Sequence, residues 1–188
     1  AGGALRVEAI LATELSGFQL RGDMSDTLVI AISQSGTTTD TNRTVDLVRG
    51  RGASVIAIVN RRGSDLTDKS DGVLYTSDGR DVEMSVASTK AFYSQVAAGL
   101  LLAHAIADEV PGGLRTDAEE SQELLRALRD LPARMEEALG VRTAAAEAAR
   151  SFAPSRRYWA IVGNGVNQIA AREIRVKLSE LCYKSIAC

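Results

Sequence analysis

The chain has 188 residues, 45% of them apolar, and a mean hydropathy close to zero, which places it among globular proteins with room for one ordinary domain plus part of another. Its 22 basic and 24 acidic residues are interspersed and sum to −2, so no basic stripe is available to track a nucleic-acid backbone. Cys182 and Cys188 lack CxxC spacing and a histidine partner, which argues against zinc and against a disulfide framework; with no signal-peptide pattern in "AGGALRVEAI" and no apolar run near the roughly 20 residues of a membrane span, the expectation is a soluble cytoplasmic protein.

Four short strands are expected in the first part of the chain: "RVEAI" (6–10), "TLVIAI" (27–32), "SVIAIV" (54–59) and "GVLYT" (72–76). They are rich in β-branched residues, and three of the four show little alternation, as strands covered on both faces do. Between them "DTNRTVDLVRGRG" (40–52) puts Val45 and Val48 on one side of a helix and stops at Gly50 and Gly52, while "NRRGSDLTDKSD" (60–71) allows a helical turn at most. "STKAFYSQVAAGLLLAHAIADEV" (88–110) is long and apolar enough to cross a sheet face. Strands alternating with helices predict right-handed crossovers and a three-layer α/β/α sandwich on a parallel sheet, with "TLVIAI" central.

From Pro111 the texture changes. "TDAEESQELLRALRDLPARMEEALG" (116–140) predicts an amphipathic helix capped by Thr116 or Asp117, with Leu124, Leu125, Leu128 and Leu131 along its apolar side. An Ala-rich helix over 143–157 follows, then a strand "YWAIVG" (158–163), a glycine turn and a helix to Ile186. One strand–helix unit cannot bury both faces of its strand, so this reads as the truncated start of a second α/β domain near Arg157.

Chemistry is concentrated where "TLVIAI" breaks into "SQSGTTTDT" (33–41). The break falls at the carboxyl end of a parallel strand, where open α/β sheets bind ligands. Ser33, Ser35, Thr37, Thr38 and Thr39 bring hydroxyls, Gly36 permits close backbone approach, and the helix that follows offers unpaired N–H groups and the positive end of its dipole. These are the parts of a small-anion cradle; the same residues also serve as ordinary helix caps, and the physics leaves both readings open. The turn matches neither GxxxxGK[ST] nor GxGxxG, which disfavours ATP and dinucleotides.

"SQSGTTTDT" resembles the SQSGETADT signature of sugar isomerase (SIS) domains, phosphosugar-binding α/β modules. "VASTKAFYSQVAAGLLLA" (86–103) resembles more narrowly the VASTKAF segment in the isomerase half of glutamine–fructose-6-phosphate aminotransferases. "VEAILATEL" (7–15), "DGVLYTSDGRDVEMSVASTKAF" (71–92) and "REIRVKLSELCY" (172–183) extend the likeness over nearly the whole chain apart from 111–157. The resemblance implies a first SIS domain over 1–110 lacking its first strand, a helical linker over 111–156, and the truncated start of a second SIS domain over 157–188. It implies that Ser33, Gln34, Ser35 and Thr38 hold the sugar phosphate and that Val86 and Ser88 lie against the sugar. Thr37 departs from the pattern, standing where the signature has Glu.

In the last helix Glu173, Lys177 and Glu180 fall at i, i+4 and i+7, with Ala170, Ile174, Leu178 and Leu181 as the adjoining apolar stripe. Taken alone, this is an ordinary solvated helix face. Aldose–ketose isomerisation needs a base that moves a proton between C1 and C2, and the resemblance puts that base on Glu180 and the neighbouring active-site lysine on Lys177. His104 lies within "LLAHAIA" and reads as packing or a surface cap; it does not match the family's catalytic histidine, which falls beyond residue 188. Trp159 reads as core, the arginines of "NRRGSDL" as solvated, and "GNG" (163–165) as the second domain's equivalent turn without phosphate.

The implied activity is amino transfer from glutamine to fructose 6-phosphate, giving glucosamine 6-phosphate for amino-sugar synthesis. Its partners would be the phosphosugar, ammonia from a glutaminase domain outside this chain, and a second copy in a homodimer. Neither metal nor cofactor is implied. A related ketose-amine deglycase and a non-catalytic phosphosugar sensor are the rival classes; VASTKAF and the Glu180 motif speak against the sensor.

Overall fold

In the computed structural model the described residues are 5–78, 88, 90–110, 117–182 and 185–187. The chain divides into two compact units, Ala1–Thr116 and Asp117–Cys188.

The first unit is built on a parallel sheet of β1 (Leu28–Ser33), β2 (Ser54–Val59) and β3 (Gly72–Tyr75) in that order, with Leu28 to Ser33 in register with Ser54 to Val59. Before β1 the described residues hold a helical turn, α1 (Ala12–Glu14), and a wider π turn over Leu15–Gln19. The crossovers carry α2 (Thr39–Arg49) and the one-turn α3 (Asp65–Lys69), and α4 (Ala91–Glu109) follows the sheet.

The lack of alternation in β2 has a direct structural cause. Val55, Ala57 and Val59 face one way, packing with Val45 and Val48 of α2 and Leu66 of α3. Ile58 faces the other way against Ala98 and Leu102 of α4, with Ile56 and Leu74 beside it. Helices therefore cover both faces, and the result is the three-layer α/β/α arrangement. Each of the fully buried Val, Leu and Ile side chains contributes about 1.5–3 kcal/mol by leaving water.

β1 is not central. Among the described residues β2 occupies the middle, paired on both sides, and β1 an edge, paired with β2 alone; α4 packs over β2, and on the same face of β1 Leu28, Ile30 and Ile32 are 44%, 40% and 52% exposed. The strand expected at 6–10 is also absent. Those residues run irregularly and mostly exposed into α1, and the chain is drawn to the α2 side, where Leu15 and Leu20 pack against the core and Thr44 Oγ1 donates to the Ala12 carbonyl at 2.9 Å.

The second unit contains α5 (Ala118–Ala138), a 3-10 turn Leu139–Val141, α6 (Arg142–Phe152), β4 (Trp159–Ala160), α7 (Asn167–Cys182) and β5 (Ile186–Ala187). Asp117 caps α5, its carboxylate accepting from the Glu119 N–H at 3.2 Å; Thr116, the alternative cap, lies outside the described residues. The four leucines of the predicted stripe are all half-buried. The expected strand 158–163 shrinks to two residues, and the expected helix to Ile186 ends at Cys182, because Ile186 turns back to pair in parallel with Trp159. Trp159, expected as core, is only half-buried, its indole donating to the Arg156 carbonyl at 3.0 Å.

One ion pair ties three elements of the first unit together. The Asp71 carboxylate accepts from Arg49 at the end of α2 (2.8 Å) and from the Val55 N–H at the start of β2 (2.7 Å), while its own N–H donates to the Val55 carbonyl. The Arg49 hydrogen bond, and then that of Val55, hold the Asp71 carboxyl below its ordinary range. A depressed carboxylate stabilises above the unfolded value of about 3.9 and loses that contribution as pH falls towards the folded value. Asp71→Asn should therefore melt at a lower temperature than the parent at pH 7, the two melting curves converging below about pH 4. Equal melting temperatures at pH 7 would remove Asp71 from this role.

Candidate phosphosugar site

The turn from Ser33 to Thr38 leaves the carboxyl end of β1 and enters α2, with Thr38 as the residue before the helix. Its backbone is fastened on two sides. The Gln34 carbonyl accepts from the Asn60 and Arg61 N–H groups at 3.2 and 3.4 Å, and the Gly36 carbonyl accepts from the Leu66 N–H at 3.1 Å. From the helix side, the buried Asn42 donates its Nδ2 to both the Gly36 and Thr38 carbonyls, at 3.0 and 3.1 Å. Gly36 has φ +67°, and a Cβ there would fall 2.0 Å from Ser64 Oγ and 3.0 Å from Val59 Cγ2. Only glycine meets both conditions, so the turn sits against the start of α3 with no side chain between.

The side chains of the turn are ordered by internal bonds. Ser33 Oγ, buried, accepts from the Gly36 N–H at 3.1 Å and lies 3.3 Å from Thr38 Oγ1. Ser35 Oγ accepts twice, from the Thr37 N–H at 3.2 Å and from Thr37 Oγ1 at 2.9 Å. Gln34 is approached from α4 by Gln95, whose Nε2 donates to Gln34 Oε1 at 3.4 Å. A hydroxyl that accepts from the protein keeps its own proton to give away, which suits an anion and not a cation. The exposed start of α2 adds unpaired first-turn N–H groups and the positive dipole end. Thr38 makes no side-chain cap to those N–H groups, so its hydroxyl is not consumed in the capping role that the sequence left open.

Of the other sequence-predicted residues in this unit, Ser88 is half-buried with φ +51°, a left-handed conformation that costs a non-glycine residue energy and is common at ligand sites. Val86 lies outside the described residues. Arg61 and Arg62 are exposed, as expected, and Arg62 also places its guanidinium carbon 4.0 Å from the Tyr75 ring centroid. His104 lies 3.8 Å from Asp108 one turn on along α4.

The sequence reading missed Asn42 and Ser64. Asn42 Oδ1 and Ser64 Oγ are both buried and have no hydrogen-bond partner among the described residues, and Ser64 presses directly under Gly36. Asn42 precedes Val45 and Val48 on the inward side of α2, and a polar residue in line with an apolar stripe was the available signal.

In the second unit Lys177 and Glu173 form a 2.9 Å ion pair along α7, both largely covered, and Glu180 stands exposed one turn further on. The apolar stripe of α7 is less buried than expected: Ile174 and Leu181 are exposed, Leu178 is half-buried, and Ala171 is the buried contact. At the "GNG" turn a Cβ on Gly163 would lie 2.4 Å from the Asn167 carbonyl oxygen, so glycine lets the first turn of α7 close onto the strand. Cys182 is an exposed free thiol, and Cys188 lies outside the described residues.

A parallel three-layer sheet with a hydroxyl-lined turn at a strand's carboxyl end corresponds to the family model described as the SIS domain, which matches residues 7–105, more than half of the chain. The chain belongs to the SIS-domain family. Its curated relatives include the protein named glutamine–fructose-6-phosphate aminotransferase [isomerizing] of Mycobacterium tuberculosis, 40% identical over 181 residues, which are 95% of this chain and 28% of the relative. The protein of the same name from Symbiobacterium thermophilum is 36% identical over 179 residues, 94% of this chain and 28% of the relative. Among solved structures, the C-terminal domain of glucosamine-fructose-6-phosphate aminotransferase from Francisella tularensis superposes with a TM-score of 0.83 at 26% identity, covering 94% of this chain and 48% of that one. The SIS chain thus spans little more than a quarter of the length of these curated relatives. Among the described residues no helix is long and apolar enough to cross a membrane.

Proposed function

We propose that this chain is the phosphosugar-binding isomerase part of a glutamine–fructose-6-phosphate aminotransferase, acting on fructose 6-phosphate to give glucosamine 6-phosphate for amino-sugar synthesis. The observation that carries the reading is the 40% identity that runs through 95% of the chain, across both the first-unit turn and α7. In this reading 1–110 is a first SIS domain, 111–156 a helical linker and 157–188 the start of a second. The protein works in the cytoplasm as a homodimer, with ammonia delivered by a glutaminase domain outside these 188 residues.

Binding rests on the turn. Ser33, Ser35 and Thr38 donate hydroxyl protons to the phosphate, with Gln34 and the first N–H groups of α2 completing the cradle, and Val86 and Ser88 lie against the sugar. Isomerisation needs a proton lifted from one of C1 and C2 and returned to the other through an enediol, and Glu180 is the carboxylate assigned to that transfer. The efficiency of that transfer rests on how the substrate's C1 and C2 are oriented against the carboxylate. Lys177, tied to Glu173, supplies a fixed positive charge one turn away, suited to stabilising developing negative charge on a substrate oxygen.

Two experiments test the two halves of this reading. Replacing Ser35 and Thr38 together by alanine removes two charge-assisted hydrogen bonds, each contributing about 1.5–3 kcal/mol, so calorimetry should show at least a hundredfold weaker binding of fructose 6-phosphate. An unchanged affinity would reject the turn as the site. In the whole enzyme, Glu180→Gln keeps the side chain's shape and removes the base, and should slow isomerisation by about 10²–10⁴-fold while phosphate-dependent binding survives. Near-normal isomerisation in that variant would return Glu180 to an ordinary helix-face carboxylate.

A further inference from the structure

We propose that Thr37 is a positioning residue for phosphate recognition: by donating both its hydroxyl and its amide to Ser35 Oγ, it turns the Ser35 hydroxyl into a group that can only donate. The proposal rests on the phosphosugar reading of the turn and concerns how that turn selects charge.

A serine hydroxyl has two acceptor lone pairs and one proton. At Ser35 both acceptor positions are occupied by the same neighbour, at 3.2 Å from the Thr37 N–H and 2.9 Å from Thr37 Oγ1. The proton then has no acceptor among the described residues and is left for a ligand. Ser33 is different, since its 3.3 Å contact with Thr38 Oγ1 can run in either direction and its proton can be spent internally. Ser35 is thus a turn hydroxyl set as a free donor before any ligand arrives, whereas the Thr37 proton is already committed to it. A preset donor need not break an internal bond or lose rotor freedom on meeting an anion, which is the usual gain from preorganisation.

The residue type at position 37 decides this polarity. Threonine and serine can donate to Ser35, valine keeps the shape without the donor, and a carboxylate reverses the bond by accepting the Ser35 proton. Glutamate, which the signature has at this position, would take that proton and add a negative charge beside the anion. The Thr37 side chain is exposed and packs into no core cluster, so replacing it disturbs little else.

The test is calorimetric titration of glucose 6-phosphate into the parent, Thr37→Val, Thr37→Ser and Thr37→Glu, with Ser35→Ala and the Ser35→Ala/Thr37→Val double variant. Titrations at pH 5 and pH 7.5 span the second phosphate ionisation near pH 6. Thr37→Val should bind about 3–10-fold more weakly than the parent and Thr37→Ser like the parent. In the Ser35→Ala background, adding Thr37→Val should weaken binding no further, because the interaction it removes is already gone. Thr37→Glu should lose more affinity at pH 7.5, where the ligand is a dianion, than at pH 5, where it is a monoanion. Parent-like affinity of Thr37→Val, or an equal loss in the Ser35→Ala background, overturns the proposal while leaving the phosphate site standing. A parent that binds glucose 6-phosphate no better than glucose, or a Ser35→Ala variant that binds like the parent, overturns the phosphosugar reading, and this proposal with it.

Discussion

The carbonyl of Gly36 is the point on which the first unit's chemistry depends. It accepts the Leu66 N–H from the start of α3 and Nδ2 of Asn42 from α2, so two crossover elements hold one peptide of the turn. Those elements are themselves fixed by burial: Leu66, Val45 and Val48 sit in the same core cluster as Val55, Ala57 and Val59 of the central strand. Hydrophobic packing of α2 and α3 on one face of the sheet is thereby converted into the position of a few hydroxyls at its carboxyl edge. The absence of a Cβ at Gly36 makes the conversion possible, since any side chain there would push Ser64 and the α3 start away.

Fixing the backbone leaves the side chains free to specialise. Ser35 accepts twice from within the turn and keeps its proton for a ligand, Ser33 accepts from the Gly36 N–H, and the exposed first turn of α2 contributes N–H groups that no residue of that helix can satisfy. No arginine or lysine is needed for such a cradle, which agrees with a net charge of only −2 and no basic patch in the sequence. The α7 segment works on another principle: Lys177 is held in place by its 2.9 Å ion pair with Glu173, and Glu180 one turn on makes no such pair among the described residues.

Much of this was legible in the sequence, for identifiable reasons. β2 lacks alternation because helices cover both its faces, and β1 to β3 appear within one residue of where β-branched runs put them. The turn was visible because five hydroxyl residues around one glycine directly follow a strand, and VASTKAF and SQSG carried the family. What stayed hidden was non-local. Residues 6–10 have a strand's composition but pair with no strand among the described residues, so they run irregularly, and nothing in β1's own residues reports which strands flank it. The two-residue pairing of Trp159 with Ile186 spans 27 positions and shortened both the strand and the helix expected there. Asn42 escaped notice because its role is set by carbonyls of the turn, not by its helix neighbours.

The central claim is that the peptide from Gln34 to Thr41 is a prebuilt phosphate cradle. Amide chemical shifts followed by NMR during a titration with fructose 6-phosphate test it most directly, because each N–H of the turn and of the first turn of α2 reports separately. The account predicts that the largest shifts cluster on Ser35 to Thr41, that inorganic phosphate reproduces their direction, and that fructose alone leaves them unmoved. Shifts centred instead on the Gly163–Asn167 turn, or equal responses to fructose and fructose 6-phosphate, would contradict it.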